Sequence, residues 1–175
     1  MQVTLDAIDW NQLLNFSNSE EFIEWLYELE DEKDFRSLSC YDNGWISDSA
    51  MQYFEVAGAL KHLAEISPSE AGTHLREGIM KLISEDGHID EFNLADASEG
   101  CYWISASPAS VVAIKSHLDS VDIQACVTLL RSKPPKEASN IMKNLDKLFV
   151  AFINQHRHMI DLAVTKGYGL LGHCG

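Results

Sequence analysis

Apolar side chains recur at three- and four-residue spacing over most of this chain, which predicts a helix-dominated fold. Residues 6–15 read as a short helix with Trp10, Leu13 and Leu14 inward. Ser17-Asn18-Ser19 then offers capping residues, and Glu20 and Glu21 suit a helix N-terminus. The helix expected over 19–32 puts Phe22, Ile23, Leu26 and Leu29 on one stripe and Glu20, Glu24, Glu28 and Asp31 on the opposite one. Residues 33–46 look irregular, with a turn at Asp42-Asn43-Gly44. Ser47 or Asp48 can cap a helix through Ile66, its inner stripe running from Tyr53 to Ala64. Ser67-Pro68-Ser69-Glu70 combines a capping box with a proline at the first helical position, so a helix is expected from 68 to about 84.

The second half reads differently. Glu85-Asp86-Gly87 turns the chain, and His88 to Leu94 reads as a short strand. Cys101-Tyr102-Trp103-Ile104 is aromatic and β-branched after Gly100 and reads as a second strand. Ser107-Pro108 starts a helix to about Leu118, and Asp119 or Ser120 caps another over 121–131. Lys133-Pro134-Pro135-Lys136 breaks the chain. A long helix is expected over 137–166, with Ile141, Met142, Leu145, Phe149, Phe152 and Ile160 in its stripe and Gly167 as its stop. Tyr168 to His173 reads as a strand weakened by Gly169 and Gly172. The fold class is therefore α+β, predominantly helical, with a small sheet formed mainly by segments of the C-terminal half. No repeat or linker divides the 175 residues, so one domain over 1–175 is expected.

Net charge narrows the range of partners. The chain holds 13 Lys and Arg against 27 Asp and Glu, a net charge of −14. The imbalance is uneven: residues 1–100 carry 22 acids and 5 bases, residues 101–175 carry 5 acids and 8 bases. Polyanionic nucleic acid and anionic membrane surfaces are thereby disfavoured as partners, and a basic protein is favoured. No apolar stretch is long enough for a transmembrane helix, and the opening MQVTLDAIDW is unlike a signal peptide. Cys40, Cys101, Cys126 and Cys174 are widely spaced and form no CxxC pair, so reduced thiols in a cytoplasmic protein are expected.

The run Tyr102-Trp103-Ile104-Ser105-Ala106-Ser107-Pro108-Ala109-Ser110-Val111 places a strand before an SPxxV step into a helix. Val121-Asp122 follows, and later Leu145-Asp146-Lys147-Leu148-Phe149 precedes a closing strand from Gly167 to Leu171. This order resembles the YfbM-like family of small bacterial proteins of uncharacterised function. The resemblance covers residues 101–175. The Trp and His that the family carries inside one front-half helix have no counterpart, since Trp45 and His62 stand 17 positions apart. The resemblance implies an α+β fold and brings no activity and no catalytic residues.

Residues that could carry chemistry are few. Four carboxylates on one helix face, Glu20, Glu24, Glu28 and Asp31, read as a solvated face or as a surface for a basic partner. His62 with Glu65, and His74 with Glu77, have i,i+3 spacing that could supply two metal ligands, but a third ligand is not identifiable and no metal is expected. His88, Asp90, Glu91, Cys101 and Tyr102 could line one polar pocket beside the sheet. His156 falls in the apolar stripe of the long helix and reads as a satisfied core histidine. No GxSxG, P-loop or GxGxxG sequence occurs, so no cofactor is expected. Two functions remain. The leading one is a non-catalytic acidic binding module, inhibitor- or immunity-like, for a basic protein partner. The alternative is a small-molecule-binding enzyme or sensor using the pocket near residues 88–102.

Overall fold

The computed structural model describes residues 2–28, 45–83, 88–97, 102–135 and 143–174. Its four strands are β1 (Gln2–Ile8), β2 (Trp45–Ser49), β3 (Tyr102–Ala106) and β4 (Gly169–Cys174). They form one antiparallel sheet in the order β2-β1-β4-β3. The described helices are α1 (Trp10–Leu13), α2 (Ser19–Glu28), α3 (Ala50–Ile66), α4 (Ser69–Glu77), α5 (Met80–Ile83), α6 (Leu94–Ala97), α7 (Pro108–Asp119), α8 (Ile123–Ser132) and α9 (Leu145–Lys166). The class is α+β and predominantly helical.

The sheet is covered on both faces. Leu5, Ala7, Ile104, Ala106 and Leu170 join a large core with residues of α3, α4, α5, α7, α8 and α9. Ile8, Trp103 and Leu171 point the other way, into a second core with Leu13 of α1, Phe22 and Ile23 of α2, and Leu94 of α6. This alternation is the period-2 geometry of strands, so the molecule has a thick helical layer, a sheet and a thin helical layer.

Two of the four strands come from the first half, which corrects the expectation that C-terminal segments supply most of the sheet. The sequence predicts a helix over 6–15, but β1 runs to Ile8 and only Trp10–Leu13 form a helical turn, capped by the Asp9 carboxylate on the Asn11 amide at 3.1 Å. β1 alternates, with Val3, Leu5 and Ala7 set between Gln2, Thr4 and Asp6, but Trp10, Leu13 and Leu14 at helical spacing just beyond it draw the reading from residue 6 onward to a helix. Ser47 and Asp48 belong to β2, and α3 begins at Ala50.

Other boundaries shift for local reasons. α4 starts at Ser69, and Pro68 supplies no side-chain cap. It stops at Gly78, well short of 84. Residues 88–94 form no strand; a single parallel bridge joins Asp90 to Ser105 before α6 begins. Asp122, not Asp119 or Ser120, caps α8, accepting from the Ala125 amide at 3.0 Å. α9 starts at Leu145, because Lys143 and Asn144 are not helical; Ile141 and Met142 lie outside the described residues.

Several expected signals appear as read. Ser107 caps α7 through the Ser110 amide, and Pro108 follows it. Gly167 ends α9 in the left-handed region at φ 68°, where a glycine carries no steric penalty. β4 forms with Gly169 as its first residue. This glycine admits Trp10, whose ring lies where a Cβ would stand 2.4 Å from Cε3. A deeper anchor is Arg157 of α9, whose guanidinium donates to the Leu118 and Val121 carbonyls, both at 2.9 Å, at the C-terminal end of α7. The Leu118 carbonyl also accepts from the Val121 amide at 3.1 Å, and a cation beside this helix end complements the helix dipole.

Candidate functional site

Three groups of polar side chains stand out once the layers are in place. The first is the outer face of α2. Phe22 and Ile23 are buried against the sheet, and Phe22 packs edge-on to Phe16 and Phe92 at ring separations of 5.2 and 6.1 Å. That fixes which side of α2 faces out. Glu20, Glu24 and Glu28 are exposed there, as the stripe requires; Asp31 lies outside the described residues. Tyr27 is 75% exposed between them and Leu14 is 56% exposed nearby in sequence. Glu21 differs from its neighbours: its carboxylate accepts from the Ser17 amide at 2.6 Å, and that bond holds its pKa below the usual value.

The described segments of the thin layer contain no Lys or Arg. Residues 2–28 include Asp6, Asp9, Glu20, Glu21, Glu24 and Glu28, and residues 88–97 include Asp90, Glu91 and Asp96; neither segment has a Lys or Arg. Every described Lys and Arg, from Lys61 to Lys166, belongs to helices of the thick layer or to turns at their ends. Among the described residues, the sheet therefore separates a surface without Lys or Arg from a mixed one.

The second group is Asp90 and Glu91, beside β3. The Asp90 carboxylate accepts from the Ser105 hydroxyl through one oxygen and from the Ala95 amide at 2.9 Å through the other. Glu91 accepts from the Ser110 hydroxyl at 2.6 Å and from the Ser107 amide. Burial opposes the Glu91 charge, yet these bonds keep its pKa below the usual carboxylate range. The Ser105 amide donates to the Ile89 carbonyl, and the Glu91 amide donates to the Ser105 carbonyl. Residues 89–91 thus close the outer edge of β3, which removes an exposed template for strand pairing. All four carboxylate oxygens are engaged in holding this segment.

Of the five residues expected to line one pocket, Asp90 and Glu91 belong to this segment and His88 precedes it. Tyr102 is on β3 in register with Cys174, about 10 Å along the strand from Ser105. Cys101 lies outside the described residues. Sequence reasoning misses Ser105, Ser107 and Ser110 as partners of these acids, because it gives Ser107 a capping role alone. A cavity of about 10 Å³ does occur in the thick layer, lined by Leu60, Leu75, Leu118, Cys126, Phe149 and other apolar groups. It is at the lower limit for one water and far below the hundreds of Å³ of a ligand pocket. Burial raises the Cys126 thiol pKa there, so this cysteine is a core residue.

The third group consists of buried ionisable side chains. Asp6 is 5% exposed, on the β1 face that carries Ile8, in register with Leu171 and Trp45. Burial pushes its carboxyl up to about 7. His156 is buried in the thick layer, stacks on Phe152 at 4.1 Å and shares a 2.9 Å hydrogen bond between Nδ1 and the Phe152 carbonyl. Burial pulls its pKa down to about 4, so it is neutral at pH 7 and packs as a core residue. His62 Nε2 lies 2.9 Å from the Lys133 carbonyl, joining α3 to the end of α8.

No family model, curated protein or solved structure matches this chain. No helix among the described residues is long and apolar enough to cross a membrane.

Proposed function

We propose that the thin layer is a docking face for a basic protein, used as an inhibitor or immunity protein uses an acidic surface. The observation that carries this reading is the row Glu20, Glu24 and Glu28, exposed around Tyr27 on a layer whose described segments contain no Lys or Arg. Complementary charge accelerates encounter and rejects wrong partners, while an exposed aromatic ring supplies desolvated contact area. The pocket alternative is less favoured because Asp90 and Glu91 are committed to β3 and α7. We place the encounter in the cytoplasm, which the scattered cysteines favour, and keep kinship to the YfbM-like proteins as part of the same proposal.

Charge reversal tests it. A partner captured at low salt should be basic, and the triple variant Glu20→Lys, Glu24→Lys, Glu28→Lys should weaken its binding by about 100-fold, since like-charge juxtaposition costs several kcal/mol. Reversing the exposed Glu65 and Glu70 of the thick layer should leave affinity within a few fold. Capture that is insensitive to salt and to the triple reversal would overturn the reading.

A further inference from the structure

His74 of α4 and His117 of α7 face each other with their Nδ1 atoms 3.0 Å apart and their ring centroids 5.3 Å apart. Both rings are half-buried, so the pair is held by packing yet reachable from solvent. The close approach depends on Gly78, where a Cβ would stand 2.7 Å from the His74 carbonyl oxygen and 3.3 Å from the His117 Cβ. A neutral imidazole has one N–H, so this contact requires opposite tautomers, one Nδ1 donating and the other accepting. One proton therefore sits between two nitrogen lone pairs supplied by two different helices.

We propose that this pair is a bidentate site for a divalent first-row transition ion, copper(II) foremost, with the ion taking the place of the shared proton. Two metal–nitrogen bonds of about 2.0 Å at a right angle set the nitrogens about 2.8 Å apart, and at a tetrahedral angle about 3.3 Å. The observed 3.0 Å lies between them, nearer the tetragonal value that suits copper. Imidazole is a good ligand for copper, nickel and zinc and a poor one for magnesium and calcium. On binding, the bridging Nδ1 proton leaves to solvent and the other imidazole, already Nε2-protonated, keeps its proton; the first ring regains a proton at its outer Nε2, so no net proton is released from the neutral pair. Among the described residues no group of three or more His, Cys, Asp or Glu converges, so the remaining positions belong to water or to an added ligand. The ion would tie α4 to α7.

The test is copper titration of the full chain at pH 7.5, read by electron paramagnetic resonance and by thermal shift. One equivalent should bind with the hyperfine pattern of two imidazole nitrogens and raise Tm, whereas calcium and magnesium should do neither. His74→Gln and His117→Gln should each weaken binding by more than about tenfold, the loss typical even of an outer partner of a metal ligand. His62→Gln and His158→Gln should bind as the parent does. Should the first two variants fold poorly, copper protection of His74 and His117 from acylation in the unmodified protein, located by mass spectrometry, gives the same answer. Binding that survives in both glutamine variants, a single-nitrogen spectrum, or no protection of these two rings overturns the assignment.

Discussion

Replacing Asp6 by Asn is expected to stabilise the protein at alkaline pH, by about 4 kcal/mol more at pH 8 than at pH 4. The folded carboxyl titrates near 7 and the unfolded one near 3.8. Between those values the folded state holds a proton that the unfolded state has released. Stability from this group is therefore complete below about 3.8 and is lost as pH rises through 7, at about 1.4 kcal/mol for each pH unit between the two values. Asn fills nearly the same space and carries no charge.

His156 acts in the opposite sense over nearly the same window. Its folded pKa of about 4 lies below the usual 6.5, so the unfolded state binds the extra proton and stability rises with pH from 4 to 6.5. The two slopes offset one another in the natural chain. Urea midpoints measured from pH 4 to 8 should therefore vary little from these two groups in the parent, rise with pH in Asp6→Asn and fall with pH in His156→Leu. Parallel profiles in all three proteins would show that Asp6 is not ionised at the cost of the fold.

Phe22→Ala should cost about 3–5 kcal/mol, the range for removing a buried phenylalanine ring. Phe22 is fully buried and meets Phe16, Trp25 and Phe92. These aromatic contacts form much of the core under α2, so its loss should also free that helix. Hydrogen exchange should accelerate in α2 well before it does in α9, and docking of a basic partner should fall with it. Uniform acceleration along the chain would mean that the two layers unfold as one unit.

Local signals are legible in the sequence, and contacts between distant segments are not. Ser107-Pro108, Lys166-Gly167 and the stripe of Phe22, Ile23 and Leu26 are local signals, and the elements they mark are present. β1 reads as the start of a helix because Trp10, Leu13 and Leu14 lie at helical spacing just after it, although Gln2 to Ala7 alternate as a strand does. α4 ends before Gly78, which also lets α7 pass close by, a contact no local pattern encodes. The exposed row on α2 is readable from its period. The separation of charge across the sheet depends on which segments share a layer. The meeting of His74 with His117 joins residues 43 positions apart, whereas helical spacing pairs His74 only with Glu77.

β1 lies in the middle of the sheet, paired with β4, and the chain between Ile8 and Gly169 must be in hand before that pairing exists. Contacts closed over roughly 160 residues are slow to find, since the entropy of closing so long a loop is lost before the pairing returns anything. During synthesis β1 can pair early with β2, but its other edge stays open until β4 has left the ribosome. Segments α3 to α8, whose contacts are nearer in sequence, can assemble in the interval.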